Sequence, residues 1–209
     1  QTTEGCASVS DDNGNLLFYT DGRRVWDSSH TTMNDGTGVF LTGNSSATQS
    51  AVVCPKPCTY NKTLNRFDNY YIITVDVTGG SNGVRFTEID MTLNAGLGGI
   101  VTTQKNIHLY DTTTNESITV AKHANGNDYW IIGKEVGNTT YNAFLITSTG
   151  VNLTPVKSYV GPAFGVQIGS LKVFYGESLI IAEANYGDNV ELYEFLDSKY
   201  KEDYKITSL

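Results

Sequence analysis

Short apolar runs separated by polar turn residues form the main pattern of this 209-residue chain. Val, Ile, Tyr and Phe are frequent in the runs, and Gly, Asn, Asp and Ser interrupt them about every ten residues. β-branched and aromatic residues favour strands, whereas the interrupting residues favour tight turns. The pattern therefore predicts an all-β fold. Only the window 192–204 also fits one face of a helix, and its first half fits a strand equally well.

The apolar runs recur in four segments that share one plan: an apolar run, an acidic or amide residue, and a turn. In three of the four a second apolar run follows. The first runs begin at Leu16, Tyr70, Tyr129 and Leu179, so their starts lie 54, 59 and 50 residues apart. Strand repeats of about 40–50 residues are typical of the four-stranded blades of a β-propeller.

Two of these runs, Tyr70–Val75 and Tyr129–Ile132, are apolar at consecutive positions rather than alternating. A strand with this pattern is covered on both faces, as the middle strands of a blade are. We therefore predict β-propeller-type blades, about four of them, within a single segment 1–209 that is part of a larger propeller. The predicted blades span roughly 8–27, 49–91, 117–149 and 165–197, and 198–209 is predicted as a linker or the start of the next blade.

Charge and hydropathy narrow the range of partners. The net charge is −8, and Arg23-Arg24 is the only basic cluster in the sequence. Nucleic acid is therefore not an expected partner, because phosphate binding needs clustered Lys and Arg. No apolar run approaches the roughly 18–20 residues of a membrane helix, so we expect no direct membrane insertion.

The three cysteines, Cys6, Cys54 and Cys58, are an odd number, so at least one is free or paired with another chain. Cys54 and Cys58 are separated by Pro-Lys-Pro, which matches neither a redox motif nor a four-ligand zinc site. Two interpretations remain open for this pair. One is a local disulfide in an oxidising compartment, and the other is two free thiols.

Several short phrases of the sequence, taken in order, are characteristic as a set. They are 3–8 (TEGCAS), 14–22 (GNLLFYTDG), 25–27 (VWD), 46–53 (SATQSAVV), 71–76 (YIITVD), 90–94 (DMTLN), 96–98 (GLG) and 122–132 (KHANGNDYWII). In this order they resemble the propeller-like N-terminal domains of gliding-motility-adhesin-like proteins, which are large surface proteins of Bacteroidetes secreted by the type IX system. The resemblance covers roughly residues 3–196. The chain departs from the family in lacking a preceding Trp-Tyr-Phe-Gly-type strand, in showing only four blades, and in the Cys54 and Cys58 pair.

The resemblance implies an extracellular location at the cell surface, a role in adhesion, and a longer polypeptide around this segment. The implied partner is a surface polysaccharide or a protein. The family pattern provides no catalytic residue.

Acidic or amide residues follow each first run at equivalent positions, namely Asp21, Asp76, Glu135 and Asn185. They could line a ligand or cation site on one face of a propeller, but capping of turn amides is the favoured interpretation. The loop Asp11–Asn15 is only superficially similar to a calcium loop, because it lacks the sixth-position Gly and the distal Glu, and calcium stays an alternative to the absence of a cofactor. We predict no catalytic residue, no cofactor ligand and no metal ligand, and the ligand-binding residues stay undetermined.

Three functional hypotheses follow from these observations. The first is a non-enzymatic binding, adhesion or display domain of a large secreted surface protein. The second is a propeller glycosidase or lyase that acts on polysaccharide, and the third is a structural component of an extracellular appendage or virion. Under the first hypothesis the long polar segments should carry the binding surface. These segments are Ser28–Gly43, Pro55–Asn69 and Thr102–Ser117.

Overall fold

Antiparallel strands make up the regular structure of the chain, as its apolar pattern predicts. The computed structural model describes residues 3–33, 35–38, 40–110, 114–163, 169–175, 179–185, 189–196 and 205–208. Within these ranges the strands form four main sheets and one small hairpin, and the only helical elements are two single turns of 3-10 helix. None of these described residues belongs to a helix long and apolar enough to cross a membrane.

The first sheet has the order β1-β2-β3, with strands β1 (Ala7–Ser10), β2 (Leu16–Thr20) and β3 (Val25–Asp27). The turn between β1 and β2 is closed by the side chain of Asp11, which accepts hydrogen bonds from the backbone amides of Asn13 and Asn15. This residue therefore closes a hairpin turn.

The second sheet has the order β4-β7-β8-β10, with β9 paired to β8 beside this path. Between β4 and β7 the chain forms a separate hairpin of β5 and β6. The strands are β4 (Ala51–Pro55), β5 (Tyr60–Asn61), β6 (Arg66–Phe67), β7 (Asn69–Val75), β8 (Val84–Asp90), β9 (Gly99–Ile100) and β10 (Ile107–Tyr110).

The third sheet has the order β11-β12-β13, followed by β14 and β15, which both pair with β13. Trp130 and Ile131 in β12 are each only 1% exposed, which confirms that this apolar run is a buried strand. The strands are β11 (Thr114–Lys122), β12 (Tyr129–Glu135), β13 (Thr140–Thr147), β14 (Gly150–Val151) and β15 (Val156–Tyr159).

The fourth sheet has the order β16-β17-β18-β19. Its strands are β16 (Ser170–Tyr175), β17 (Leu179–Asn185), β18 (Asn189–Leu196) and β19 (Lys205–Ser208). The first half of the window 192–204 is therefore strand, because it ends β18, whereas 197–204 lies outside the described residues.

Three hydrophobic cores lie between successive sheets and show that the sheets are stacked in chain order. Phe18 and Tyr70 belong to the core between the first and second sheets, with ring centroids 5.5 Å apart. Tyr71 and Phe144 belong to the core between the second and third sheets. Trp130 belongs to the core between the third and fourth sheets.

This stacking explains the consecutive apolar runs. In β7, Tyr70 and Ile72 contribute to the core with the first sheet, whereas Tyr71 and Ile73 contribute to the core with the third. Successive side chains of a strand point to opposite faces, so a sheet covered on both sides needs apolar residues at every position.

The fourth sheet is covered on one face only in the described structure. Leu171 and Phe195 are buried against the third sheet. The opposite face carries large apolar side chains that are about half exposed, and they are Phe174 (56%), Val190 (68%), Leu192 (48%) and Leu196 (46%).

The first strand of each sheet contacts the first strand of the next, so that β1 neighbours β4, β4 neighbours β11 and β11 neighbours β16. Gln49, just before β4, joins three sheets. Its Oε1 accepts from the backbone amides of Ile118 (3.2 Å) and Leu171 (2.8 Å), and its Nε2 donates to the Leu171 carbonyl. Within the ranges given above, these strands do not close into a barrel or a propeller ring.

The sheets extend further along the chain than the predicted segments. Ile107–Tyr110 is an outer strand of the second sheet, although Thr102–Ser117 was expected to be a polar loop. Val156–Tyr159 extends the third sheet, and Lys205–Ser208 pairs with β18 instead of forming a linker or starting another sheet. Each is only four residues long, and short edge strands differ little from loops in their local pattern.

Candidate ligand-binding pocket

The repeated acidic positions cap local structure. Asp21 is buried, and its Oδ1 accepts from the backbone amides of Arg23 (2.8 Å) and Arg24 (2.7 Å). Asp76 is buried as well and accepts from the backbone amides of Val77 and Asn82. This is the turn-capping role that the sequence analysis favours for these positions.

Glu135, at the equivalent position of the third sheet, is also buried but accepts from side chains. Its carboxylate takes hydrogen bonds from Nδ2 of Asn138 (2.9 Å), Nδ2 of Asn142 (3.0 Å) and Nζ of Lys157 (3.3 Å). The side chain of Asn185, the fourth member of the set, lies outside the described residues.

The metal hypothesis receives no support from side-chain grouping. Within the described residues no three His, Cys, Asp or Glu side chains are placed to hold a metal ion together. The Asp11 carboxylate, considered above for calcium, accepts hydrogen bonds within its own turn, including one from Asn15 Nδ2 (2.9 Å).

The cysteines Cys54 and Cys58 carry free thiols in this structure. Cys54 lies in β4 and is fully buried, and this burial raises the pKa of its thiol well above the ordinary value. Cys58 is exposed in the following turn. The disulfide alternative is therefore not formed here.

A cleft of about 400 Å³ lies beside the first strands of the first, second and fourth sheets. A propeller glycosidase would be expected to place paired acids near such a position. Neither Asp21 nor Asp76, the repeated acidic residues of the first two sheets, is among the described residues that line this cleft. The lining consists of Gly5, Cys6, Ala7, Ser8, Thr48, Gln49, Ala51, Val52, Val53, Ser170 and Lys172.

A second pocket, of about 230 Å³, forms where the segment after β3 folds back on the first sheet. The backbone amide of Leu41 donates to the Arg23 carbonyl (2.9 Å), and the amide of Gly43 donates to the Gly22 carbonyl (3.0 Å). A Cβ added at Gly43 would lie 2.5 Å from the Gly22 carbonyl oxygen, so only glycine allows this close approach. These contacts bring Phe40 beside the arginine pair.

Both guanidinium groups of the arginine pair stack on Phe40. The Cζ atom of Arg24 lies 4.5 Å from the centroid of the Phe40 ring, and that of Arg23 lies 5.5 Å from it. Both arginines and Phe40 are exposed to solvent. Cation–π contacts of this kind orient a guanidinium while its N–H groups stay available.

The pocket carries a net positive charge although the chain is acidic. Its one lining carboxylate, Asp35, pairs with Lys105 Nζ at 2.6 Å, and both side chains are nearly buried. Burial alone would raise the pKa of Asp35, but the hydrogen bonds from Lys105 and Thr37 outweigh it and lower the pKa. Within the described structure neither Arg23 nor Arg24 forms an ion pair through its guanidinium, so the two charges are uncompensated.

The floor of the pocket is apolar. Val25, Met33 and Leu41 are buried members of the core between the first and second sheets, and Ile100 lines the pocket from β9. The arrangement can hold a small ligand that has an anionic group at one side and an apolar surface at the other.

The sequence alone gave Arg23-Arg24 no binding role. The pair counted only as the single basic cluster in a chain that has too few such clusters for nucleic-acid binding. The signal that could have identified the pair is its rarity, since the chain has only four arginines and the other two, Arg66 and Arg85, donate to backbone carbonyls. Tyrosines of the polar segments are a second sequence signal, because an exposed ring can stack on a sugar. Tyr60 is exposed, whereas Tyr110 is buried and Tyr186 lies outside the described residues.

Comparison with known proteins does not assign the chain to a group: neither a protein-family model nor a curated protein sequence matches it.

Proposed function

We propose that this chain is a non-enzymatic binding or adhesion domain, displayed by a large secreted protein at the cell surface. The observation that carries the proposal is the exposed pocket at Arg23, Arg24 and Phe40, with two uncompensated cations above an apolar floor. A rigid sheet with a ligand-binding loop at its end is a common arrangement in binding proteins. The partner is a surface polysaccharide or a protein.

The proposal extends to the architecture. We regard the four stacked sheets as propeller-type blades that belong to a larger propeller within a longer polypeptide. Strand order that follows the chain within each main sheet, cores between successive sheets and contacts between their first strands support this interpretation. The same features suit a scaffold whose loops carry the binding surface.

A glycan array combined with polysaccharide hydrolysis assays tests the proposed function. We expect the purified chain to bind a subset of glycans and to release no reducing sugar from them. Release of reducing sugar that is lost in Asp76→Asn or Glu135→Gln, with each variant still folded by circular dichroism, would replace the binding function with a glycosidase or lyase function.

A further inference from the structure

We infer that the pocket at Arg23, Arg24 and Phe40 binds the carboxylate of an isolated uronate residue in an otherwise neutral saccharide. The inference rests on the proposed function and names the ligand class of the same pocket. The charge, the shape and the backbone hydrogen bonding of the pocket favour this ligand class, and so does the net charge of the chain.

Charge selects a carboxylate. Arg23 and Arg24 present two guanidinium groups, and Lys105 already compensates the nearby Asp35. A guanidinium matches the two oxygens of a carboxylate with two parallel N–H donors. Because Phe40 holds both groups in place, less side-chain freedom is lost when the anion binds.

Shape selects a small ring. The pocket volume of about 230 Å³ is below the roughly 300–1,000 Å³ of typical sites for drug-sized ligands. Its floor of Val25, Met33, Leu41 and Ile100 presents an apolar surface beside the charges. A uronate has a carboxylate on one ring carbon and C–H groups on the ring faces, so it can use both parts of the pocket.

Backbone pairing disfavours an extended peptide as the ligand. A peptide that adds to a sheet edge needs unpaired main-chain groups there. At this pocket the carbonyls of Arg23, Val25 and Phe40 accept from Leu41 N (2.9 Å), Met33 N (2.8 Å) and Asn106 Nδ2 (3.0 Å) respectively. The pocket therefore offers side-chain recognition and not strand addition.

The overall charge favours isolated carboxylates over a polyanion. The chain carries a net charge of −8, so the protein as a whole repels a densely charged polyanion. A saccharide with one uronate among neutral sugars places one negative charge at the two cations and little charge elsewhere.

Isothermal titration of the full chain tests the inference with two matched probes. One is a xylotetraose that carries a single glucuronate branch, and the other is unsubstituted xylotetraose. We expect the acidic probe to bind at least about tenfold more tightly, because a hydrogen-bonded charge pair contributes on this scale. Equal affinity for the two probes would overturn the inference.

Variants locate the binding in the pocket. Arg23→Gln and Arg24→Gln should each weaken binding of the acidic probe about tenfold. Arg24→Lys should also weaken it, because an ammonium lacks the paired donors. The fold should survive these changes, since Asp21 caps the backbone amides of both arginines and not their side chains. Lys62→Gln is the matched control, because Lys62 is an exposed cation in the β5–β6 turn.

The outcomes separate this inference from the proposed function. An equal loss in Lys62→Gln, or equal affinity for a short glutamate peptide, would overturn uronate recognition at this pocket. Binding to neutral glycans alone on the array would also overturn it and leave the binding function in place. Release of reducing sugar that is lost in Asp76→Asn or Glu135→Gln would instead remove the proposed function.

Discussion

At the scale of single residues, several buried polar side chains are paired with partners that lie outside their own strand. Glu135 shows the effect most clearly, because three side-chain donors surround its buried carboxylate. Burial alone would raise the pKa of Glu135, but the hydrogen bonds from Asn142, Asn138 and Lys157 outweigh it and lower the pKa. The ionised form is therefore stabilised by folding.

The first prediction concerns the pH dependence that follows from Glu135. A carboxylate with a lowered pKa contributes stability above its unfolded pKa of about 4.3, and this contribution is lost as pH falls through the folded pKa. Glu135→Gln should lower the free energy of unfolding by about 1–3 kcal/mol at neutral pH. The difference from the unmodified protein should shrink between pH 5 and about pH 3.

Urea denaturation at a series of pH values measures this difference. Lys157→Met removes one of the three donors and serves as a matched control, which should produce a smaller change in the same direction. Unfolding free energies of Glu135→Gln and the unmodified protein that stay parallel down to pH 3 would contradict the assigned role.

At the scale of elements, the sheets are connected through their first strands as well as through their cores. Gln49 provides the clearest connection, since it accepts from Ile118 in β11 and both accepts from and donates to Leu171 in β16. Glu116 adds a second connection, because its carboxylate accepts from the backbone amides of Thr48 and Thr78. Polar side chains therefore hold the first strands of three sheets together.

The second prediction is that Gln49→Ala destabilises the protein substantially. The substitution removes the partner of the Ile118 and Leu171 amides, and each buried donor left unpaired costs about 1–3 kcal/mol. Gln104→Ala is the control, because within the described residues the Gln104 side chain forms no hydrogen bond. Equal unfolding free energies for the two variants would mean that Gln49 does not connect the sheets energetically.

At the scale of the whole molecule, stacked sheets bury two faces of each middle sheet and leave the outer face of the fourth sheet exposed. That face carries Phe174, Val190, Leu192 and Leu196. Contiguous apolar side chains of this kind promote association when no other element covers them. The same residues would be buried if a further sheet were stacked here, as happens at each of the three cores.

The third prediction is that the chain, expressed by itself, self-associates through this face. Sedimentation velocity at increasing concentration should show larger species. The double variant Val190→Thr with Leu192→Thr should reduce them, because it removes the apolar surface without changing the net charge. Leu153→Thr is the matched control, since Leu153 is similarly exposed (53%) but lies in the turn before β15. A chain that stays monomeric throughout, or an equal effect of the control, would contradict the prediction.

The sequence alone determined the strands that have strong local signals. Tyr70–Val75 and Tyr129–Ile132 are recognisable as strands covered on both faces because apolar side chains occupy consecutive positions, with Thr74 as the one polar exception. The hairpin turns are recognisable because Asn and Gly tolerate positive φ, as Gly14 and Gly126 show. These features depend on residues that are close together in the chain.

Only the tertiary structure decided the outer strands, the links between sheets and the pocket. Lys105 compensates Asp35 across 70 residues, and Gln49 bonds Leu171 across 122 residues. No local pattern contains such pairs, because they depend on how whole sheets stack. For the same reason Arg23 and Arg24 were a minor feature of the sequence until the fold placed Phe40 beside them and supplied Lys105 to compensate Asp35, the carboxylate that lines the pocket.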